Sequence, residues 1–176
     1  KQLLDSALYY YNLAIINTSD TVKAKYIAFL INSVGINYAY KLNLYNKAMK
    51  CFVKALLIFD KLHDLNGIST CYTNIGIIFS YQKEYTKSLN YYYKALELCK
   101  LTKNKKTVVS CLLNIGQVYS DINKYEKALY FFKHALNISN KIINMTIIYY
   151  PLLSFEFFLK NKNFKRMVEV THNPLT

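Results

Sequence analysis

The stretch NIGQVYSDINKYEKALYFFKHALNI, residues 114–138, decides the fold, because two earlier stretches of the chain repeat its pattern. Residues 74–98 read NIGIIFSYQKEYTKSLNYYYKALEL, and residues 33–58 read SVGINYAYKLNLYNKAMKCFVKALLI. A glycine occupies the same place in each stretch: Gly35, Gly76 and Gly116. The period is 40 residues, with one extra residue in the first stretch. A period of this length, found three times, indicates stacked copies of one helical unit.

Each stretch predicts two amphipathic helices joined by a short polar turn. The turn of the second unit is Gln82–Glu84, and the first turn holds its extra residue near Lys41–Leu44. Small residues recur in the second helix, where helices must approach closely: Ala48, Ser88, Ala128, Ala55, Ala95 and Ala135. Gly inside a helix costs about 1 kcal/mol relative to Ala. A recurring Gly therefore needs a packing reason, and we expect Gly76 to face Ser88 and Ala95.

This pattern of small and aromatic residues resembles the tetratricopeptide repeat family, in its 40-residue variant. The resemblance implies an all-α fold, an α-solenoid in which antiparallel helix hairpins form a right-handed superhelix of about eight helices. The first helix of each hairpin, helix A, would line the concave face, and the second is helix B. The linkers Lys61–Gly67 and Leu101–Lys106 stand where other family members carry a proline turn.

We expect one array over residues 1–176. Residues 1–18 match a helix B whose helix A is missing, through Leu4, Ala7, Tyr11 and Ala14. The predicted repeats are 23–61, 66–101 and 105–141, and a degenerate repeat at 145–172. The chain starts in helical register without an initiator Met, so we expect a piece of a longer protein.

The composition agrees with a helical, folded chain. Hydrophobic residues make up 53%, and there are only 4 Gly and 2 Pro, too few for a fold rich in turns. No apolar run reaches the roughly 18 residues that a membrane span requires. A membrane partner is therefore not expected.

In the family, ligands bind along the helix A residues at fixed offsets from the glycine. The predicted peptide-binding residues are Asn32, Ser33, Ile36, Tyr40, Thr70, Asn74, Ile77, Tyr81, Ser110, Asn114, Gln117 and Asp121. Asn74 and Asn114 both precede a glycine by two, where family members use Asn to bond a ligand backbone. An amide carries a donor and an acceptor, so it can pair with a peptide unit of any sequence. Alternatively, Asn is merely tolerated there on a solvated face.

The family's carboxylate clamp, which holds the acidic C-termini of chaperones, needs basic residues on the helices A. The corresponding positions of the third unit are Ser110 and Asn114, so the clamp is absent. The expected partner is therefore another protein or peptide.

The formal charge is +13, and Arg166 is the only arginine. Lysines of the helices B share two registers and predict a basic ridge: Lys47, Lys54, Lys87, Lys94 and Lys127. A solvated helix face is the favoured interpretation, and Lys-rich composition with many Asn, Tyr and Ile also fits a low-GC genome. Readers of nucleic acid depend on the forked Arg side chain, so nucleic acid is not the expected partner.

No pattern indicates catalysis. Cys51, Cys71, Cys99 and Cys111 form no CxxC pair, and the three histidines lie far apart without a partner of catalytic or metal-ligand spacing. We therefore predict no enzyme activity, no metal and no cofactor. Cysteines inside helices behave as small apolar residues, which favours a reducing, cytoplasmic location.

Three functions remain open. The chain could be the interaction or sensor segment of a larger regulatory protein, with the effector part elsewhere. It could be a cytoplasmic peptide-pheromone receptor of the Rap type. It could also be a scaffold that binds an anionic partner through the lysine ridge. Self-association through exposed repeat ends is a further expectation, because cut repeat arrays expose apolar faces.

Overall fold

A computed structural model describes residues 2–140. This part contains seven α-helices and no β-strand. The helices are α1 (Gln2–Ile16), α2 (Thr21–Tyr40), α3 (Tyr45–Lys61), α4 (Leu65–Tyr81), α5 (Tyr85–Leu101), α6 (Lys105–Asp121) and α7 (Tyr125–Asn140). The degenerate repeat predicted at 145–172, and with it an eighth helix, lies outside the described residues.

The helices pack as hairpins of consecutive elements. α2 packs against α3, α4 against α5, and α6 against α7, so α2, α4 and α6 are the helices A. The chain divides into two compact units, Lys1–Asn104 and Lys105–Thr176. In the first unit α1 also packs against α2, and α3 against α4. The repeats predicted at 23–61, 66–101 and 105–141 fall on α2–α3, α4–α5 and α6–α7, respectively.

A residue with left-handed backbone follows each helix from α2 to α6. These residues are spaced by 20 and have φ between 51° and 61°: Asn43, His63, Lys83, Lys103 and Asn123. After α4, the backbone N–H groups of Lys83 and Glu84 donate to the carbonyls of Ser80 and Phe79, both at 2.9 Å. This pair of bonds is the Schellman motif, which satisfies the last carbonyls of a helix. One helix with its turn thus takes about 20 residues, and two make the repeat of 40.

Aspartates fix the starts of two helices A. The Asp20 carboxylate accepts from the N–H of Val22 at 2.8 Å, before the first turn of α2. Asp64 caps α4 by accepting from the N–H of Gly67 at 3.3 Å, and it also pairs with Lys25 of α2 at 2.9 Å. These bonds satisfy N–H groups that a helix start leaves unpaired.

The repeat glycines make room for an aromatic ring of the facing helix B. Gly35 lies against Phe52, Gly76 against Tyr92 and Gly116 against Phe132. A Cβ at Gly76 would lie 2.6 Å from Cε1 of Tyr92. The three atoms nearest to that Cβ all belong to the Tyr92 ring, which lies one helical turn before Ala95 on α5. The expected contact with Ser88 is present, since Ser88 Oγ donates to the Gly76 carbonyl at 2.9 Å.

Gly67 lies buried in the first turn of α4, whereas the sequence pattern predicts it in the linker Lys61–Gly67. A Cβ there would lie 2.3 Å from the ring of Phe59, which is itself fully buried. Gly67 therefore serves the packing of α3 on α4, and the left-handed turn residue is His63.

Candidate functional site

The predicted peptide-binding residues of the first unit lie on α2 and α4, which contact each other. We call their solvent-facing members the α2–α4 strip: Ser33, Ile36, Tyr40, Thr70, Asn74, Ile77 and Tyr81. Tyr40 and Tyr81 are 52% and 51% exposed, Ser33 is exposed, and the remaining members are half-buried. None of these side chains carries a charge at neutral pH, so the strip is a neutral surface on a basic protein.

Asn32 and Asn74 form a side-chain pair across the two helices. Nδ2 of Asn74 donates to Oδ1 of Asn32 at 2.9 Å. Asn32 is only 5% exposed, and the Sγ of buried Cys71 lies 3.9 Å from the same oxygen. Asn32 was expected to contact a ligand, but its burial makes it a support for Asn74. This bond uses one of the two N–H groups of the Asn74 amide.

A cluster of three tyrosines, which we call the tyrosine cluster, lies at the C-terminal ends of α2 and α4. The rings of Tyr40 and Tyr81 meet edge to face at 6.0 Å, and Tyr45 stacks on Tyr81 at 5.7 Å with planes 19° apart. Burial raises the pKa of Tyr81, Tyr45 adds to this effect, and a side-chain hydrogen bond with Tyr40 opposes it. Tyr45, the first residue of α3, was absent from the predicted site. Its signal was the Tyr repeated every 40 residues at Tyr45, Tyr85 and Tyr125.

The hydroxyl groups of the strip are largely engaged by their own helices. Ser33 Oγ donates to the Phe29 carbonyl, and Thr70 Oγ1 to the Asn66 carbonyl, both at 2.9 Å. Such bonds to the preceding turn are common for Ser and Thr inside helices. The other polar side chains of the α2–α4 strip are those of Asn74, Tyr40 and Tyr81.

The compact unit that begins at Lys105 presents the corresponding residues of α6. We call them the α6 strip: Ser110, Asn114, Gln117 and Asp121. Ser110 and Asp121 are exposed, whereas Asn114 and Gln117 are half-buried. Gln117 Nε2 donates to Asp121 Oδ1 at 2.8 Å, one helical turn along. Partial burial raises the pKa of Asp121, and the Gln117 hydrogen bond opposes this. This strip is more polar than the α2–α4 strip and ends in a carboxylate.

Lysines of the predicted basic ridge lie over aromatic rings. The Nζ atoms are 5.3–5.6 Å from the ring centroids: Lys47 over Tyr38, Lys87 over Phe79, Lys94 over Tyr91, and Lys127 over Tyr119. Lys47 also pairs with Asp5 at 2.6 Å, and Lys87 pairs with Glu84. Lys54 is half-buried on α3. Four of the five lysines thus lie over aromatic rings, and two of these four also meet carboxylates.

The cysteines are all buried. Burial raises the pKa of Cys51 to about 11 and that of Cys71 to about 12. Thiols of this kind stay protonated at neutral pH and are poor nucleophiles.

Residues 2–140 contain neither a metal-binding cluster nor a membrane-spanning helix. Across this part of the chain, no three His, Cys, Asp or Glu side chains come together in a way that could hold a metal ion. No helix within the same range combines the length and apolar character needed to cross a lipid bilayer.

Helical hairpins that repeat every 40 residues, each closed by an aromatic ring on a glycine, define an all-α helical-repeat protein. The model of the tetratricopeptide repeat family matches residues 26–101 and 72–141, well over half of the chain. The chain belongs to the tetratricopeptide repeat family, and the predicted α-solenoid class is confirmed. No curated protein matches the sequence significantly.

Solved structures share the fold at low sequence identity. The apo form of RapI matches 95% of this chain with a TM-score of 0.73 and 22% identity, over 46% of its own length. BtubC (BKLC) from P. vanneervenii matches 80% with a TM-score of 0.62 and 18% identity, over 58% of its length. The TPR domain of Arabidopsis FLU matches 69% with a TM-score of 0.60 and 16% identity, over 99% of its length. The chain thus spans about half the length of the first two proteins.

Proposed function

We propose that this chain is a non-catalytic scaffold that binds an extended segment of a protein or peptide along its helices A. In this proposal it is the interaction or sensor segment of a larger regulatory protein. The observation that carries it is the Asn32–Asn74 pair, in which a buried amide orients a half-buried one on the α2–α4 strip.

A fixed amide suits the recognition of a peptide backbone. Asn74 retains one acceptor and one N–H beyond its bond to Asn32, which match the N–H and the carbonyl of a peptide unit. Because Asn32 holds the amide plane, less side-chain freedom is lost when a ligand binds. Asn114 occupies the same register of α6, two residues before Gly116, and offers a second amide in the other unit.

A receptor of the Rap type for a short secreted peptide, acting in the cytoplasm, is the second candidate. Its support is the match to RapI over 95% of this chain, which concerns the fold. The two candidates differ in the ligand's ends. A receptor for a processed peptide should lose affinity when the peptide is extended at either terminus, whereas a scaffold should tolerate flanking sequence.

A scaffold driven by the lysine ridge is disfavoured. Lys47 and Lys87 meet carboxylates and also cover aromatic rings, so part of the ridge's charge is already compensated. Self-association through α1 has support in the exposure of this helix, none of whose residues is buried. Light scattering across protein concentrations tests that point separately.

The decisive experiment uses a random peptide display library selected on the chain. The Asn74→Ala, Asn114→Ala double variant should lose the enriched peptides while keeping its helical circular dichroism. The matched control is Asn90→Ala, Asn137→Ala, which removes one exposed asparagine from a helix B in each unit. If the first double variant binds the selected peptides as tightly as the control does, the proposal is wrong.

A further inference from the structure

We propose that the tyrosine cluster binds a proline-rich segment in the polyproline II conformation. This inference rests on the function proposed for the α2–α4 strip and names the chemistry of its ligand. It is carried by the arrangement of Tyr40, Tyr45 and Tyr81 at one end of the strip, and by the position of Asn74 along it.

The cluster presents two aromatic walls at nearly a right angle. The planes of Tyr40 and Tyr81 differ by 83°, and each side chain is about half exposed. Tyr45 stacks on Tyr81 and restrains it, so the walls exist before a ligand arrives. A pyrrolidine ring is flat, apolar and conformationally fixed, so it fits such a corner at low entropic cost.

Hydrogen-bond chemistry favours the same ligand. Proline lacks an N–H, so a proline-rich segment presents carbonyl acceptors in excess. Phenols donate to carbonyls, and aromatic-lined grooves with such donors are a recurrent way to bind polyproline II segments. The hydrogen bond with Tyr40 lowers the pKa of Tyr81, so Tyr81 accepts in that bond and its own phenolic proton can serve a ligand carbonyl.

Charge argues against other peptide classes. The α2–α4 strip has no basic side chain with which to hold an acidic peptide. It has no carboxylate with which to hold a basic peptide, and the net charge of +13 repels one. A neutral segment is left as the matching ligand.

The spacing along α4 sets the register of the ligand. Asn74 precedes Tyr81 by seven residues, which is about 10 Å at the helical rise of roughly 1.5 Å per residue. A polyproline II segment advances about 3.1 Å per residue, so about three residues separate the two contacts. We expect a proline on the tyrosine cluster and a backbone contact at Asn74 about three positions away.

Binding to synthetic peptides tests the inference directly. The chain contains no Trp, so anisotropy of a Trp-tagged peptide, excited at a wavelength that Tyr does not absorb, reports on the peptide alone. A Trp-tagged decaproline should bind with a Kd below about 1 mM. A Trp-tagged Gly-Ser peptide of equal length should bind at least about tenfold more weakly, because it is not preorganised.

Variants of the chain locate the site. Tyr81→Ala should weaken decaproline binding at least about tenfold, as expected for loss of an aromatic anchor. Tyr81→Phe keeps the ring and removes the hydroxyl, so it should weaken binding by roughly fivefold. Tyr10→Ala, a change at an exposed tyrosine of α1 outside the cluster, should leave the affinity unchanged.

The outcomes separate this inference from the proposed function. The inference is wrong if the chain binds decaproline and the Gly-Ser peptide with equal affinity. It is also wrong if wild type, Tyr81→Phe and Tyr81→Ala all bind decaproline with equal affinity. If library peptides depend on Asn74 and Asn114 but contain no proline and are indifferent to Tyr81, the inference fails and the proposed function stands. If decaproline binding depends on Tyr81 but not on Asn74, the cluster is supported, but the expected contact at Asn74 and the asparagine-based proposal both fail.

Discussion

Asn74 on α4 donates a hydrogen bond to Asn32 on α2 across 2.9 Å, and Asn32 is almost completely buried. The bond links neighbouring helices A at the level of the candidate site. A buried amide that lost its partner would remain desolvated, which is costly. Packing of the two repeats and orientation of the Asn74 amide therefore depend on one side chain.

The variant Asn32→Ala should affect both stability and binding. We expect a loss of about 1–2 kcal/mol in the free energy of unfolding, measured in urea, because the buried bond disappears. Library peptides should also bind more weakly although Asn74 is unchanged, since its amide is no longer held. The control Asn90→Ala should change stability by less than about 0.5 kcal/mol. Unchanged peptide affinity in Asn32→Ala would show that orientation by Asn32 is irrelevant.

The glycine contacts in the helical hairpins predict a coupling between Gly116 and Phe132. A Cβ at Gly116 would lie 2.5 Å from Cε1 of Phe132, so Gly116→Leu should destabilise the chain by about 1–3 kcal/mol through overpacking. Phe132→Leu removes the ring that causes the clash. In a double-mutant cycle, Gly116→Leu should therefore cost less in the Phe132→Leu background. Additive effects within error would mean that the two residues do not share this contact.

The left-handed turn residues predict a stabilising substitution. Lys83 has φ of 60°, a conformation that costs an L-residue roughly 1 kcal/mol and costs Gly nothing comparable. Lys83→Gly should therefore raise the thermal midpoint. Lys94→Gly is the matched control, since Gly inside α5 should cost about 1 kcal/mol. A fall in the midpoint for Lys83→Gly would show that the lysine side chain contributes more than the backbone strain.

The repeat period, the hairpins and the helix class were predictable because spacing alone encodes them. The identity of the aromatic residue that packs against each glycine was less predictable. Tyr92 and Ala95 are three residues apart and share a face of α5, so a pattern of small residues pointed to Ala95. In the structure, the ring of Tyr92 occupies the space that a Cβ at Gly76 would need. Gly67 was misplaced for a related reason, since Gly usually marks a turn and here lies under Phe59.

In the candidate site, too, the sequence pattern does not determine where single side chains lie. Asn74 and Ser33 both precede their glycine by two, whereas Asn32 precedes Gly35 by three. One residue turns a helical side chain by about 100°, which carries Asn32 into the core. Tyr45 was missed because its contact with Tyr81 joins a helix B to the next helix A. Such a contact depends on how hairpins stack, which a period does not reveal.

The buried thiols predict a pH dependence of stability and a resistance of the folded chain to chemical modification. Burial raises the pKa of Cys71 from 9.0 to about 12 and that of Cys51 to about 11. A thiol that holds its proton more tightly when folded contributes stability below pH 9, and this contribution is lost as the pH rises through the folded pKa.

The thiolate is the reactive species, so both residues should resist iodoacetamide in the folded chain at pH 8. Mass spectrometry with and without urea gives each labelling rate. Equal rates for Cys71 in the two conditions would contradict the raised pKa, because the unfolded thiol has an ordinary one and serves as the internal control.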